Sequence, residues 1–204
     1  MTEKFFDKIY GVSSPEATQD MYDKWAASYD AEVADNGYAT PARVAKALAK
    51  HLPDHSATIL DFGCGTGLSG LALRQAGFSQ VDGMDPNTEM LSRASEKDAY
   101  RTLIPIDLED ETPIPQDSYA AIAAIGVIGT GAAPASALHT LLKALPKGGH
   151  LGLSLNDHAL ADPSYERALC EWLDCGAALL VFKKYGPHLP GQNIKSNVYI
   201  VEKK

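Results

Sequence analysis

The chain has few cysteines, no long apolar run and no basic cluster, and each absence excludes a class of protein. Its 204 residues include three cysteines, none of them in a CxxC pair. An odd and scattered set is typical of reduced cytoplasmic thiols and not of a disulfide framework. No apolar run approaches the roughly 20 residues that span a bilayer, and the first residues lack the apolar core of a signal peptide. We therefore expect a soluble, cytoplasmic protein with no membrane partner.

The charge balance is acidic, with a formal net charge of -8. Nucleic-acid binding needs clustered Lys and Arg side chains to contact phosphates, and the sequence shows no such cluster. Metal binding has little support, because Pro53 interrupts the helix that would align His51 with His55. We expect neither a nucleic-acid partner nor a metal, and the oligomeric state is not indicated.

From Ala57 onward, apolar strand-like runs alternate with helix-like patterns. Seven runs are strand candidates, at residues 58–62, 80–84, 100–106, 119–125, 150–155, 178–184 and 197–202. This alternation predicts a doubly wound, Rossmann-like α/β sheet of seven strands. A Gly/Pro-rich loop and no helix separates the last two runs, so we expect a mostly parallel sheet with one antiparallel strand.

The residues before Ala57 contain no strand–helix–strand unit. Two helical patterns, at residues 15–30 and 41–51, predict an N-terminal helical cover. We expect residues 1–56 to form this cover and residues 57–204 to form the core, within one structural domain. Such a cover sometimes closes the ligand crevice, which lies at the carboxyl ends of the strands.

The turn after the first strand contains three alternating glycines, at positions 63, 65 and 67. Glycine permits positive φ and lets a ligand approach the backbone closely, and the following helix N-terminus attracts anionic groups. Dinucleotide-binding folds use G-x-G-x-x-G, but Leu68 occupies the position of that third glycine. The spacing therefore favours a ligand other than a dinucleotide.

The stretch ILDFGCGTG, residues 59–67, resembles motif I of the class I S-adenosylmethionine-dependent methyltransferases. The resemblance implies that Gly63, Gly65 and Gly67 cradle the methionine part of the cofactor. It also implies that Asp61 lies near the cofactor's cationic groups. A tight structural turn is the alternative interpretation of this segment.

The segment DPNTEML, residues 85–91, is similar to the family's D-x-S-x-x-M-L segment. A carboxylate at the end of the second strand can accept hydrogen bonds from both hydroxyls of a ribose. The resemblance gives this role to Asp85, with Pro86 beside it and Met90 packed by the adenine. NAD enzymes also have an acid near this position, and a buried core methionine is the alternative for Met90.

The end of the third strand, Asp107-Leu108, corresponds to the segment that reads the adenine in the family. The resemblance implies that the Asp107 carboxylate accepts from the adenine amino group and that the Leu108 N–H donates to the ring. A solvated acid in an acidic loop is the alternative.

The N-terminal segment YDKWAASYD, residues 22–30, carries Tyr22, Trp25 and Tyr29 at helical spacing. A helix face packed on the core explains this spacing. The segment is also similar to small-molecule methyltransferases, above all to the Williams–Beuren syndrome region methyltransferase-like proteins. That resemblance implies a helix that closes over the cofactor, with these three aromatic residues as contacts.

One pair of residues is a candidate for catalysis. His158 follows the fifth strand and is a candidate general base, with Asp157 orienting it; a solvated loop histidine is the alternative. Methyl transfer depends largely on positioning and on the exclusion of water, so the lack of an evident dyad does not argue against an enzyme.

Taken together, the motifs predict an enzyme that transfers methyl from S-adenosylmethionine to a small-molecule acceptor and releases S-adenosylhomocysteine. A non-catalytic cofactor-binding module for interaction or sensing is the main alternative. An NAD-dependent oxidoreductase and a protein methyltransferase are the others, and Leu68 argues against the first of these. The sequence identifies neither the acceptor nor its reacting atom.

Overall fold

The structure is a computed structural model that describes residues 28–107, 110 and 112–204, together with Met21, Asp23 and Trp25. Seven strands form one sheet in the order β3-β2-β1-β4-β5-β7-β6. The strands are β1 (Thr58–Phe62), β2 (Gln80–Asp85), β3 (Thr102–Pro105), β4 (Ala121–Ala124), β5 (His150–Asn156), β6 (Ala178–Leu189) and β7 (Ile194–Lys203).

The predicted sheet is confirmed, and β7 is its one antiparallel strand. It runs antiparallel to both β5 and β6, whereas the other four pairings are parallel. The prediction of a Gly/Pro-rich loop from the end of the sixth strand to β7 is wrong at Gly186 and Pro187, because strand pairing continues through both residues. Proline is tolerated there because β6 lies at the edge of the sheet. A 3-10 turn, Pro190–Gln192, and Asn193 separate the two strands.

Seven α-helices lie wholly within the described residues. They are α1 (Tyr29–Asp35), α2 (Thr40–His51), α3 (Leu68–Gln75), α4 (Thr88–Ser95), α5 (Ala137–Ala144), α6 (Asp157–Ala161) and α7 (Pro163–Asp174). Asn87 caps α4, as its position predicts, by accepting from the Met90 N–H at 2.9 Å. The short α6 was not predicted; the Asn156 side chain starts it by accepting from the Ala159 N–H.

The N-terminal helices differ from the prediction at one boundary. The backbone is helical at Met21, Asp23 and Trp25 and turns at Ser28, and α1 then continues past the expected end at Asp30. The first part of the expected helix, residues 15–20, lies outside the described residues.

Both faces of the sheet are covered by helices. Successive residues of β1 point to opposite faces, so Ile59 and Leu60 enter two different apolar clusters. The cluster around Ile59 includes Val44 and Leu48 of α2, which shows that part of the N-terminal cover shares the core of the sheet. In the described part of the chain, no helix combines the length and the apolar content needed to cross a bilayer.

Candidate active site

A cavity of about 670 Å³ lies at the carboxyl ends of the central strands. Its wall includes the glycine turn after β1, residues 85–87 after β2, residues 106 and 107 after β3, and residues 125–127 after β4. Tyr29, Tyr38 and Pro41 of the N-terminal segment also line it, as do residues from the 131–140 segment. This is the edge at which open α/β sheets bind their ligands.

The glycine turn takes the conformation that its sequence predicts. Gly63, Gly65 and Gly67 have φ angles of 68°, 53° and 94°, which residues other than glycine rarely adopt. The N–H groups of Gly63 and Cys64 donate to the Met84 carbonyl at 2.8 and 3.0 Å and fasten the turn to β2. A Cβ added at Gly65 would meet nothing within 4 Å, so this backbone is open to the cavity.

Asp85 joins the end of β2 to this turn. Its Oδ2 accepts from the Gly65 N–H at 2.8 Å, and its Oδ1 accepts from the Asn87 N–H at 2.9 Å. The side chain lines the cavity but is almost wholly buried, and burial raises the pKa of its carboxyl. Two residues that the sequence analysis assigned to separate motifs are therefore in direct contact.

Asp61 lies beneath the turn and does not line the cavity. Its Oδ2 accepts from the Ser69 hydroxyl at 2.6 Å and from the Tyr100 hydroxyl at 2.7 Å, and its Oδ1 has no hydrogen-bond partner among the described residues. The residue is fully buried, and this burial raises the pKa of the carboxyl to about 7. Tyr100 also accepts from the Gly70 N–H at 3.0 Å, so its phenol links Asp61 to α3.

The N-terminal segment is fastened to the core by two acidic side chains. The Asn87 amide donates to Asp23 at 2.7 Å, and the Thr66 hydroxyl donates to Asp30 at 2.5 Å. Lys97 forms an ion pair with the other oxygen of Asp30 at 2.7 Å. These contacts hold the segment over both the glycine turn and the start of α4.

The wall on the β4 side is built from close contacts between distant residues. Val127 lies against Gly63, where an added Cβ would be 2.2 Å from a Val127 methyl group. The Tyr38 hydroxyl lies against Gly126, where the same test gives 2.2 Å. At both positions the chain has a glycine because a neighbouring side chain occupies the space that a Cβ would need.

His188 supports Tyr38 from behind. The two rings meet edge to face with centroids 5.3 Å apart, and the imidazole Nδ1 lies 2.8 Å from the Thr40 hydroxyl. Burial lowers the pKa of His188 to about 4, and the nearby Arg43 guanidinium adds to the effect. The imidazole is therefore neutral at physiological pH.

The cofactor-binding residues predicted from the sequence divide into three groups. The cavity wall contains Gly63, Gly65, Asp85, Pro86, Met90, Asp107 and Tyr29. The lining does not include Asp61, Gly67 or Trp25, and Trp25 is buried with its ring 4.7 Å from that of Tyr29. Tyr22 and Leu108 lie outside the described residues.

The candidate catalytic pair, His158 and Asp157, does not line the cavity. The Asp157 carboxylate accepts from the Tyr185 hydroxyl at 2.6 Å and from the Lys195 N–H at 2.8 Å, so it fastens the β6–β7 hairpin. A catalytic role for His158 stays a prediction, and these contacts give it no support.

Sequence reasoning did not assign three residues of the β4 side to the cavity. Tyr38, Ser136 and Thr140 line it beside Val127, which follows β4. Glycines 63 and 126 were the available signal, but only the structure shows which side chains fill the space beside them. Among the described residues, no group of three or more His, Cys, Asp or Glu side chains could hold a metal ion.

The doubly wound sheet with a glycine turn and an acid after β2 is the arrangement that motif I implied, and the comparisons agree. The chain belongs to the methyltransferase domain family, whose model matches residues 31–189. A solved S-adenosylmethionine-dependent methyltransferase from Mesorhizobium loti has the same fold, with a TM-score of 0.58 at 19% identity over 77% of this chain and 96% of that chain. The resemblance to class I methyltransferases is confirmed.

Two relatives extend the comparison. The chain is 35% identical over 157 residues to human Methyltransferase-like protein 27, across 76% of this chain and 63% of that protein. It is 37% identical over 99 residues to the ribosomal protein L11 methyltransferase of Pectobacterium carotovorum, across 48% of this chain and 32% of that protein. The chain thus spans less than two thirds of the length of either relative.

Proposed function

We propose that this protein transfers a methyl group from S-adenosylmethionine to a small molecule. The contact between Asp85 and the Gly65 N–H carries the proposal, because it brings the acid after β2 and the glycine turn into one site. Both residues line the same cavity, so a single ligand can touch both.

The residues of the cavity fit the cofactor at several points. The open backbone at Gly65 leaves room for the methionine part, which a side chain there would obstruct. Each oxygen of Asp85 accepts one backbone N–H, and a carboxylate has about four lone-pair directions, so both oxygens can still accept from ribose hydroxyls. Pro86 and Met90 offer apolar surface for the adenine, beside Asp107.

When bound, the cofactor supplies a methyl group carried by a positively charged sulfur. The acidic side chains of the wall, Asp85 and Asp107, favour a positively charged ligand. Tyr29 and Tyr38 restrict access from the N-terminal side and help to exclude water. Positioning of this kind lowers the barrier without a dedicated base in the wall.

A small acceptor is favoured over a macromolecule by the dimensions of the site. Its volume of about 670 Å³ lies within the range of small-molecule pockets. The ties from Asp23 and Asp30 hold the N-terminal segment across the site, where a protein or RNA would have to approach. Cytoplasmic location is retained as a prediction from composition.

Calorimetry with S-adenosylmethionine, S-adenosylhomocysteine and NADH tests the cofactor. We expect micromolar binding of the adenosyl ligands and none of NADH; tight binding of NADH alone would favour an oxidoreductase. Incubation of a cell extract with methyl-labelled cofactor then tests the reaction. Label in the small-molecule fraction supports the proposal, label in protein favours a protein methyltransferase, and binding without transfer favours the non-catalytic module.

A further inference from the structure

The charged groups of the cavity are confined to one side. Asp85, Asp107 and Asp110 line it after β2 and β3, where the proposed cofactor contacts lie. The opposite wall, from residues 125–127 and 131–140, has no charged side chain among its described lining residues. No lysine, arginine or histidine lines the cavity anywhere in the described part of the chain.

The hydrogen-bonding groups of this uncharged wall are hydroxyls. Ser136 contributes one just before α5, Thr140 contributes a second on α5, and Tyr38 contributes a third from the N-terminal segment. Tyr38 is held firmly, since its hydroxyl packs on Gly126 and its ring packs on His188. The phenol is thereby fixed at the carboxyl end of β4.

The uncharged wall begins at the glycine turn itself. Val127 packs on Gly63, and the Tyr38 hydroxyl packs on Gly126, the residue before Val127. Tyr38 and Val127 therefore stand where the two sides of the cavity meet.

We propose that the methyl acceptor is an uncharged small molecule with an apolar body, bound against the wall that Val127 and the 131–140 segment form together and oriented by the Tyr38 hydroxyl. This inference rests on the proposed function and specifies its substrate class. The physical reason is desolvation. A carboxylate, a phosphate or an ammonium in this wall would lose its hydration without gaining an oppositely charged partner from it, which disfavours binding strongly.

The reaction balances with such an acceptor. A lone pair on its nucleophilic atom forms the new bond to the methyl carbon, and the carbon–sulfur bond breaks with its electron pair on sulfur. A proton carried by the acceptor leaves to water. Tyr38 can donate to or accept from the acceptor, because a phenol does both, and it acts here as an orienting contact.

A matched set of probes tests the charge preference on the protein saturated with S-adenosylhomocysteine. The set comprises 4-ethylphenol, its carboxylate analogue 4-hydroxyphenylacetate, its ammonium analogue tyramine, and equivalent triplets built on anilines and aliphatic alcohols. We expect the binders to be the uncharged members, at least tenfold tighter than their charged partners. Tighter binding of either charged class, or no binding by any uncharged member, overturns the inference.

Two variants connect this preference to the wall. Tyr38→Phe should weaken the binding of 4-ethylphenol about tenfold and leave the binding of ethylbenzene, which lacks the hydroxyl, unchanged. An equal loss of affinity for both probes would mean that Tyr38 acts by ring packing and would refute its orienting role. Thr140→Lys should make 4-hydroxyphenylacetate bind at least tenfold better, whereas Ser92→Lys, which adds the same charge outside the cavity on α4, should not. Identical responses from the two lysine variants would count against the uncharged wall.

The order of measurement separates the two levels of proposal. Failure of S-adenosylhomocysteine to bind would reject the proposed function. Normal binding of that ligand, followed by a preference for charged probes, would reject the acceptor class alone.

Discussion

The two sides of the cavity are encoded in different ways. The side of the glycine turn consists of short contiguous segments, residues 63–69 and 85–90, whose backbone follows from their own sequence. The β4 side is assembled from segments far apart in the chain. Tyr38 is held by His188, and His188 by Thr40, across a separation of 148 residues.

Each side also contains a buried ionisable group, and the pKa values of the two groups are shifted in opposite directions. Asp61, under the glycine turn, has a raised pKa and binds a proton more readily than in the unfolded chain. His188, behind Tyr38, has a lowered pKa and binds a proton less readily. Burial is the largest cause of both shifts, because it disfavours whichever form is charged. The two groups therefore give the folded protein opposing dependences on pH.

The largest effect is expected from Asp61→Asn. Because the native carboxyl keeps its proton up to about pH 7, the wild-type protein loses stability as pH rises from about 4 to 7. The shift amounts to about 4 kcal/mol across that window, and a neutral amide does not contribute it. We would measure the free energy of unfolding of both proteins in urea from pH 4 to pH 8. Over this range the stability of the variant relative to wild type should rise by this amount. Parallel profiles would mean that Asp61 ionises normally.

His188→Gln should act in the opposite direction. The native imidazole titrates at about 4, so its contribution to stability is complete above the unfolded pKa and is lost as pH falls through about 6.5 towards 4. Wild type should lose about 3 kcal/mol more than the variant between pH 7 and pH 4. Parallel acid profiles for wild type and His188→Gln would mean that burial does not disfavour the charged imidazole.

Asp85→Ala tests the glycine-turn side through its ligand. The variant removes a carboxylate proposed to accept from two ribose hydroxyls, and charge-assisted bonds are worth roughly 1.5–3 kcal/mol each. We expect the affinity for S-adenosylhomocysteine, measured by calorimetry, to fall by at least about a hundredfold, which corresponds to the lower end of that range. Asp174→Ala, at the exposed end of α7, should bind as wild type does. Unchanged affinity in Asp85→Ala would remove the ribose assignment.

The sequence predicted the glycine-turn side well because local physics determines it. Glycines at 63, 65 and 67 impose their φ angles, and Asn87 caps α4 through a contact three residues away. The alternation of strands and helices likewise predicted the sheet and its antiparallel strand. None of these inferences needed a contact between distant segments.

The sequence could not predict the features that depend on long-range contacts. The β6–β7 hairpin extends through Gly186 and Pro187 because cross-strand pairing overrides their turn preference. Asp157 reads as a partner for His158, yet the hairpin brings Tyr185 and Lys195 to its two oxygens instead. Asp61 reads as a cofactor contact, yet Tyr100 and Ser69 hold it below the cavity floor.

The smallest effect is expected from Asp30→Asn, which weakens the tie between the N-terminal segment and the turn. Asparagine keeps an oxygen to accept from Thr66 but loses the charge that pairs with Lys97, and the ion pair is only partly buried. Exposed pairs contribute about 0.2–1 kcal/mol, so we expect about 1.4- to 5-fold faster release of S-adenosylhomocysteine in stopped-flow experiments. Asp35→Asn, which removes a charge from the exposed end of α1, should release the ligand at the wild-type rate.

High salt should narrow the difference in release rate between wild type and Asp30→Asn, since screening weakens the same ion pair. Equal release rates for both variants at low salt would mean that the N-terminal segment does not retain the ligand through this contact, and that the roof of the cavity relies on apolar packing at Trp25 and Tyr29 instead.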